Sequence, residues 1–148
     1  MQDRYLFRGK RIDNGEWVIG NCIDDGVTGQ VFIHTVGNSV NESDKVGEEG
    51  CLQFVAFEVA PATICQCTGL KDKNGKLIFE GDVVRHYNNP SNPDHYVTGL
   101  VYFKQNKSAF RRTSPLYEDV VISINCDYEI IGNKFDNPEL LEGSHDRE

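Results

Sequence analysis

Residues 66–84 read Gln66-Cys67-Thr68-Gly69-Leu70-Lys71-Asp72-Lys73-Asn74-Gly75-Lys76-Leu77-Ile78-Phe79-Glu80-Gly81-Asp82-Val83-Val84. Asn74-Gly75, set between apolar residues, is the strongest short-range hairpin signal, because Asn and Gly tolerate the positive φ of a tight turn. Leu77-Ile78-Phe79 is then a short strand. Glu80-Gly81-Asp82 forces a second sharp turn, since Gly81 lacks the side chain that would obstruct it. Asp82 is placed to bond a nearby backbone amide, and Val83 to Tyr87 leaves the turn as another strand.

The same grammar runs through the rest of the chain. Arg4 to Arg11 sets Arg4, Arg8 and Lys10 against Tyr5, Phe7 and Gly9, with Leu6 as the exception, and period-two alternation of this kind predicts a strand. Asp13-Asn14-Gly15 is a turn, and Glu16 to Ile23 returns as the second half of an N-terminal hairpin. Gln30 to Val36 is β-branched and aromatic, as strands are. Residues 37–50 are polar and read as a loop. Cys51 to Val59 is a strand, with a short helix as the competing reading. Pro61 breaks it and Ala62 to Thr68 resumes. Asn88 to His95 holds Pro90 and Pro93 and reads as a loop. Val97 to Lys104, Ala109 to Arg112, Val120 to Ile124 and Tyr128 to Ile131 are further strands, with Gly132 marking a bulge or bend. Asn137-Pro138-Glu139-Leu140-Leu141-Glu142 is a helical turn with Asn137 as N-cap and Pro138 at the first helical position. Short strands divided by Gly, Asn and Pro turns predict an all-β sandwich or barrel with minor helical turns. The chain reads as an N-terminal β-hairpin-rich region over 1–65, a C-terminal β region over 66–135, and a short helical turn and tail over 136–148.

The 148 residues carry 23 acidic against 15 basic side chains, a formal net charge of −8. That balance disfavours non-specific binding to nucleic acid, which relies on neutralising phosphates. The start of the chain lacks the apolar core of a signal peptide, and no run of 18 apolar residues could span a membrane. Five cysteines with no secretion signal read as reduced thiols in a bacterial cytoplasm.

Three stretches, taken together, resemble the YopX family of phage and prophage proteins: Phe7-Arg8-Gly9-Lys10-Arg11 through Glu16-Trp17-Val18 and Gly20; residues 66–84; and Glu129-Ile130-Ile131-Gly132-Asn133 followed by Asn137-Pro138-Glu139-Leu140-Leu141. The central one is the most specific. The resemblance implies a phage or prophage origin and a small SH3-like β-barrel over 66–135. It implies no reaction and no catalytic residues. Cys65-Gln66-Cys67 departs from the pattern, which argues against a shared role for these thiols.

Cys65 and Cys67 alternate onto one strand face, but zinc needs two more ligands, and Cys22, Cys51, Cys126 and His34 stand at no ligand spacing. They read as buried core thiols. Asp72-x-Asn74-Gly75 lacks the length of a calcium loop and reads as the hairpin. His86 and His95, with Asp94, flank the proline loop and form a weak acid–base cluster that an ordinary polar loop explains. No nucleophile elbow, zinc-protease motif or phosphate loop is present, so the chain is expected not to be an enzyme and to need no cofactor. A binding surface is expected instead, drawn from Arg8, Arg11, Trp17, His86, Tyr87, His95, Tyr96, Arg111 and Arg112.

The first functional expectation is a non-catalytic protein-binding or assembly module, forming a homo-oligomer or binding another protein. The second is binding of single-stranded nucleic acid on a small barrel, which requires Arg4, Arg8, Lys10, Arg11, Arg111 and Arg112 to share one face. The third is an acidic inhibitor of a host DNA-binding protein.

Overall fold

The computed structural model describes residues 5–36, 54–87, 91–92, 94–105, 109–113, 120–122 and 127–142. The expected polar loop at 37–50, and parts of the loops after Asn88 and Ser114, lie outside these. The protein is all-β, with eleven strands among the described residues, one short helix and one 3-10 turn. The strands are β1 (Phe7–Lys10), β2 (Trp17–Asp24), β3 (Val31–Val36), β4 (Phe54–Val59), β5 (Cys65–Lys71), β6 (Leu77–Phe79), β7 (Asp82–Tyr87), β8 (Tyr96–Lys104), β9 (Ala109–Arg112), β10 (Val120–Val121) and β11 (Tyr128–Asn133); the helix is α1 (Glu139–Glu142). All pairings are antiparallel, and the chain divides into two compact units, Tyr5–Gln66 and the part from Cys67 onward.

In the N-terminal unit β1 to β4 pair in sequence order, and the start of β5 pairs with β1. The β1–β2 turn closes through Arg11 N–H to the Glu16 carbonyl at 2.9 Å and Glu16 N–H to Asn14 Oδ1 at 2.9 Å. β4 also turns back on the far end of β1. Ile12 N–H donates to the Glu58 carbonyl at 3.1 Å and Ala60 N–H to the Lys10 carbonyl at 2.8 Å, with Arg11 bridging Val59. The ladder therefore curls around one core, in which Val31, Ile33 and Val59 are buried and Phe7, Val18, Cys22 and Ile64 pack against them.

Here the expected strand from Ala62 to Thr68 is corrected. Pro61–Thr63 form a 3-10 turn, and β5 starts at Cys65 and runs on to Lys71. Thr63 explains the difference. Its hydroxyl donates to the Ala60 carbonyl at 2.6 Å and accepts the Lys10 N–H at 2.9 Å, which fixes the turn against β1. Pro61 suits the first position of such a turn.

In the second unit β5 and β6 form the hairpin around Asn74-Gly75, and five strands form a ladder in the order β10-β9-β8-β7-β11. Gly75 and Gly81 both take positive φ, +84° and +87°, which is why the two reversals carry glycine. Asp82, 1% exposed, accepts the Phe79 N–H at 2.8 Å, so the second reversal is locked by a buried carboxylate. Ile78 of β6 packs with Val84, Val101 and Tyr128 of the other strands and with Ile122, just past β10, so one core serves both layers. β11 shifts register between Ile130 and Gly132, the bulge expected at that glycine. The five strands form an open ladder among the described residues, and no closed barrel is formed there. Asn137 departs from its expected capping role: its Oδ1 accepts the Asn133 N–H at 3.3 Å and sits beside Gly132 instead.

Candidate binding surfaces

Register decides which side chains share a face, because alternate residues of a strand point to opposite sides. In the N-terminal unit Lys10 lies opposite Trp17, Arg8 opposite Ile19, and Ile23 opposite Phe32. All are on the face away from the core. Trp17 carries two cations, Arg8 at 4.7 Å and Lys10 at 5.4 Å from the ring centroid. Ile19 and Ile23 are 42% and 48% exposed. Arg8 and Trp17 are thus brought together as the sequence suggested. Arg11 is not with them. It lies 4.1 Å over the Phe57 ring and is clamped by both carboxylate oxygens of Asp13, at 2.9 and 2.6 Å. That clamp holds the Asp13 carboxyl below the usual carboxylate range.

In the second unit the candidates split across the ladder. His86 pairs with Tyr128 and Val97, and Arg112 pairs with Val101, which sets His86 and Arg112 on the core face. Arg112 is 5% exposed and cannot offer its guanidinium to an outside ligand as expected. It approaches His86 Nδ1 at 3.2 Å, and the His86 ring lies 5.4 Å from that of Tyr128. Burial, followed by the Arg112 charge and against the pull of Asp127, pushes the His86 imidazole below its ordinary value. His86 is therefore packed with Arg112 and Tyr128, while His95 is exposed in the loop, its N–H on the Asn92 carbonyl at 3.1 Å.

Tyr87 and Tyr96 pair across β7 and β8 on the opposite face, rings 6.0 Å apart and tilted by 60°. Arg85 lies 4.5 Å over Tyr96 and Lys73 4.6 Å over Tyr87. Glu129 accepts the Tyr87 hydroxyl at 2.9 Å and meets Lys73 Nζ at 2.9 Å. Lys73, then the Tyr87 hydroxyl, holds the Glu129 carboxyl below its usual range, and Glu129 in return raises Lys73. Arg111 pairs with Tyr102 and is one residue from Arg112, so the two arginines point to opposite faces. The single basic face required for nucleic-acid binding is not formed by these two, and Arg4 lies outside the described residues.

Arg85, Lys73 and Glu129 were missed. Arg85 was within reach, since it is two residues before Tyr87 on the same strand face. Lys73 and Glu129 are distant in sequence, and only the β7–β11 register brings Glu129 opposite Arg85. Cys65 and Cys67 are buried, and among the described residues no three His, Cys, Asp or Glu side chains cluster as metal ligands would. No helix among them is long and apolar enough to cross a membrane.

A family model described as YopX protein matches residues 6–142. The chain is also similar to the crystal structure of protein EF1440 from Enterococcus faecalis, at 26% identity and a TM-score of 0.51, covering 91% of this chain and 96% of that one. No curated protein matches.

Proposed function

This chain belongs to the YopX family, and on that premise we propose that it is a non-catalytic protein-binding or assembly module of a phage or prophage, working in the cytoplasm of the bacterial host. The observation that carries the reading is the outward face of the N-terminal unit, where Ile19 and Ile23 are exposed and Trp17 and Phe32, half-buried, lie beside them. Covering such surface is favourable by about 25 cal/mol per Å², and contiguous apolar patches mark contact sites. The charges support it. Asp13 already holds Arg11 and Glu129 already holds Lys73, which leaves those cations poorly placed to attract phosphates. Cys22, Cys65 and Cys67, which form no disulfide, fit a reducing compartment. The shared core of β6 with the larger ladder supports a scaffold of small SH3-like barrel type.

A second reading rests on the Tyr87–Tyr96 pair with Arg85 and Lys73, which resembles a stacking platform for single-stranded nucleic acid. Glu129 within it repels the backbone of such a ligand. Size-exclusion chromatography with light scattering, at about 50 and about 200 mM salt with and without a mixed-sequence oligonucleotide, separates the two. Association that survives salt and ignores the oligonucleotide supports the protein-binding reading. An oligonucleotide complex at low salt only, on an otherwise monomeric chain, replaces it with the second.

A further inference from the structure

The apolar strip on β2 has a polarity along its length. At one end Lys10 and Arg8 stand over Trp17. In the middle Ile19 and Ile23 flank Asn21, two residues to either side. At the other end Asp25 begins the β2–β3 turn, its carboxylate accepting the Val27 and Thr28 N–H groups at 3.0 Å, while Asp24, paired with Val31, falls on the opposite side of the strand. The Thr28 hydroxyl, then the Val27 amide and, against desolvation, the Thr28 and Gly29 amides hold the Asp25 carboxyl below its ordinary value. Lys10, through its partner Trp17, is four residues to one side of Asn21, and Asp25 is four to the other. A strip with cations at one end, a carboxylate at the other and isoleucines between is complementary to itself when reversed.

We propose that this strip docks on the same strip of a second copy of the chain. The two β2 strands run antiparallel about a two-fold axis lying in the interface at Asn21. The axis sets Ile19 of each copy against Ile23 of the other, and Lys10 of each against Asp25 of the other. Such an isologous contact makes every interaction twice. The inference rests on the protein-binding reading and names its partner. The strip is one strand wide with its flanks, roughly 400 Å² per copy from strand spacing and rise. That is about half of what a standard interface buries on each side. The association is therefore weak and reversible, and it is sought at high protein concentration.

Sedimentation velocity on the full chain tests this, from about 10 µM to about 1 mM at low salt. The expected result is a concentration-dependent dimer. Ile23→Lys, which replaces an exposed residue and leaves the core intact, weakens it tenfold or more. Lys10→Glu and Asp25→Lys each weaken it comparably when alone, because each homodimer then holds two like-charge contacts. An equimolar mixture of these two variants dimerises again, since the mixed pair restores one contact reversed and keeps the other as it was. A dimer that none of the three substitutions moves overturns the proposed strip while leaving protein binding intact. A strict monomer that also ignores the oligonucleotide overturns self-docking alone. A monomer that takes up the oligonucleotide overturns both.

Discussion

Replacing Asp72 with alanine removes a buried carboxylate on which three backbone amides converge. Oδ1 accepts Asn74 N–H and Lys76 N–H, each at 2.9 Å, and Oδ2 accepts Ile130 N–H at 3.2 Å. The first two close the β5–β6 hairpin and the third ties it to β11. A hydrogen bond to a charged acceptor contributes about 1.5–3 kcal/mol. Asn74 and Lys76 are exposed, so water takes over their amides and the loss there is smaller, about 0.5–1 kcal/mol each. Ile130 is half-buried and costs more. The expected loss is about 2–4 kcal/mol. Urea unfolding followed by far-UV circular dichroism reads it as a lower midpoint at unchanged slope, and amide exchange at Ile130 quickens together with that at Lys76. The pH dependence has a definite sign. Burial alone would raise the Asp72 carboxyl, but the amides of Lys76, Ile130 and Asn74, with the Lys76 charge, outweigh it and bring it below the ordinary 3.8. Its folded value lies under its unfolded value, so its contribution is complete above about pH 4 and fades as pH falls through the folded value. The alanine variant lacks that part of the acid slope. A variant within about 0.5 kcal/mol of the parent, with Ile130 exchange unchanged, refutes the reasoning.

Three more expectations follow from the same geometry. Gly132→Ala drives a Cβ to 2.5 Å from Asn137 Oδ1 and 2.8 Å from Leu140 Cδ1, and overpacking of this kind costs about 1–3 kcal/mol, read as a lower urea midpoint. Gly20→Ala runs its Cβ into the His34 carbonyl and loosens the β2–β3 pairing, which quickens exchange of the β2 and β3 amides. His86 titrates below an ordinary histidine by NMR, so stability falls as pH drops from about 6.5 toward the folded value; Arg112→Met, which takes away the neighbouring charge, moves that midpoint upward.

How much of this was legible in the sequence depended on the range of the interaction. Asn74-Gly75, Gly81-Asp82 and Gly132 are local devices. Each is read from two or three consecutive residues, and each does what was expected of it: a hairpin, a reversal with its carboxylate on a backbone amide, and a bulge. The 3-10 turn at Pro61–Thr63 was lost because Thr63 is fixed by Lys10, far away in the chain. Arg111 and Arg112 are neighbours in the sequence and so read as one surface, but alternation on a strand separates them, and Arg112 lies on the core face. Glu129, which answers Lys73 and Tyr87, became visible only with the β7–β11 register. Barrel closure has the same character, since it depends on pairings between strands distant in sequence; among the described residues the five strands form an open ladder.

The claim that the face around β2 makes the protein contact is tested most directly by the chain's single tryptophan, Trp17. It lies within that face, so its emission and its quenching by acrylamide report cover there and nowhere else. Across a dilution from about 1 mM to about 1 µM, through the micromolar range where a weak interface dissociates, the account predicts a red shift and stronger quenching as the partner leaves. Emission and quenching that stay constant over that range, in a chain shown by sedimentation to associate, would place the contact elsewhere and contradict it.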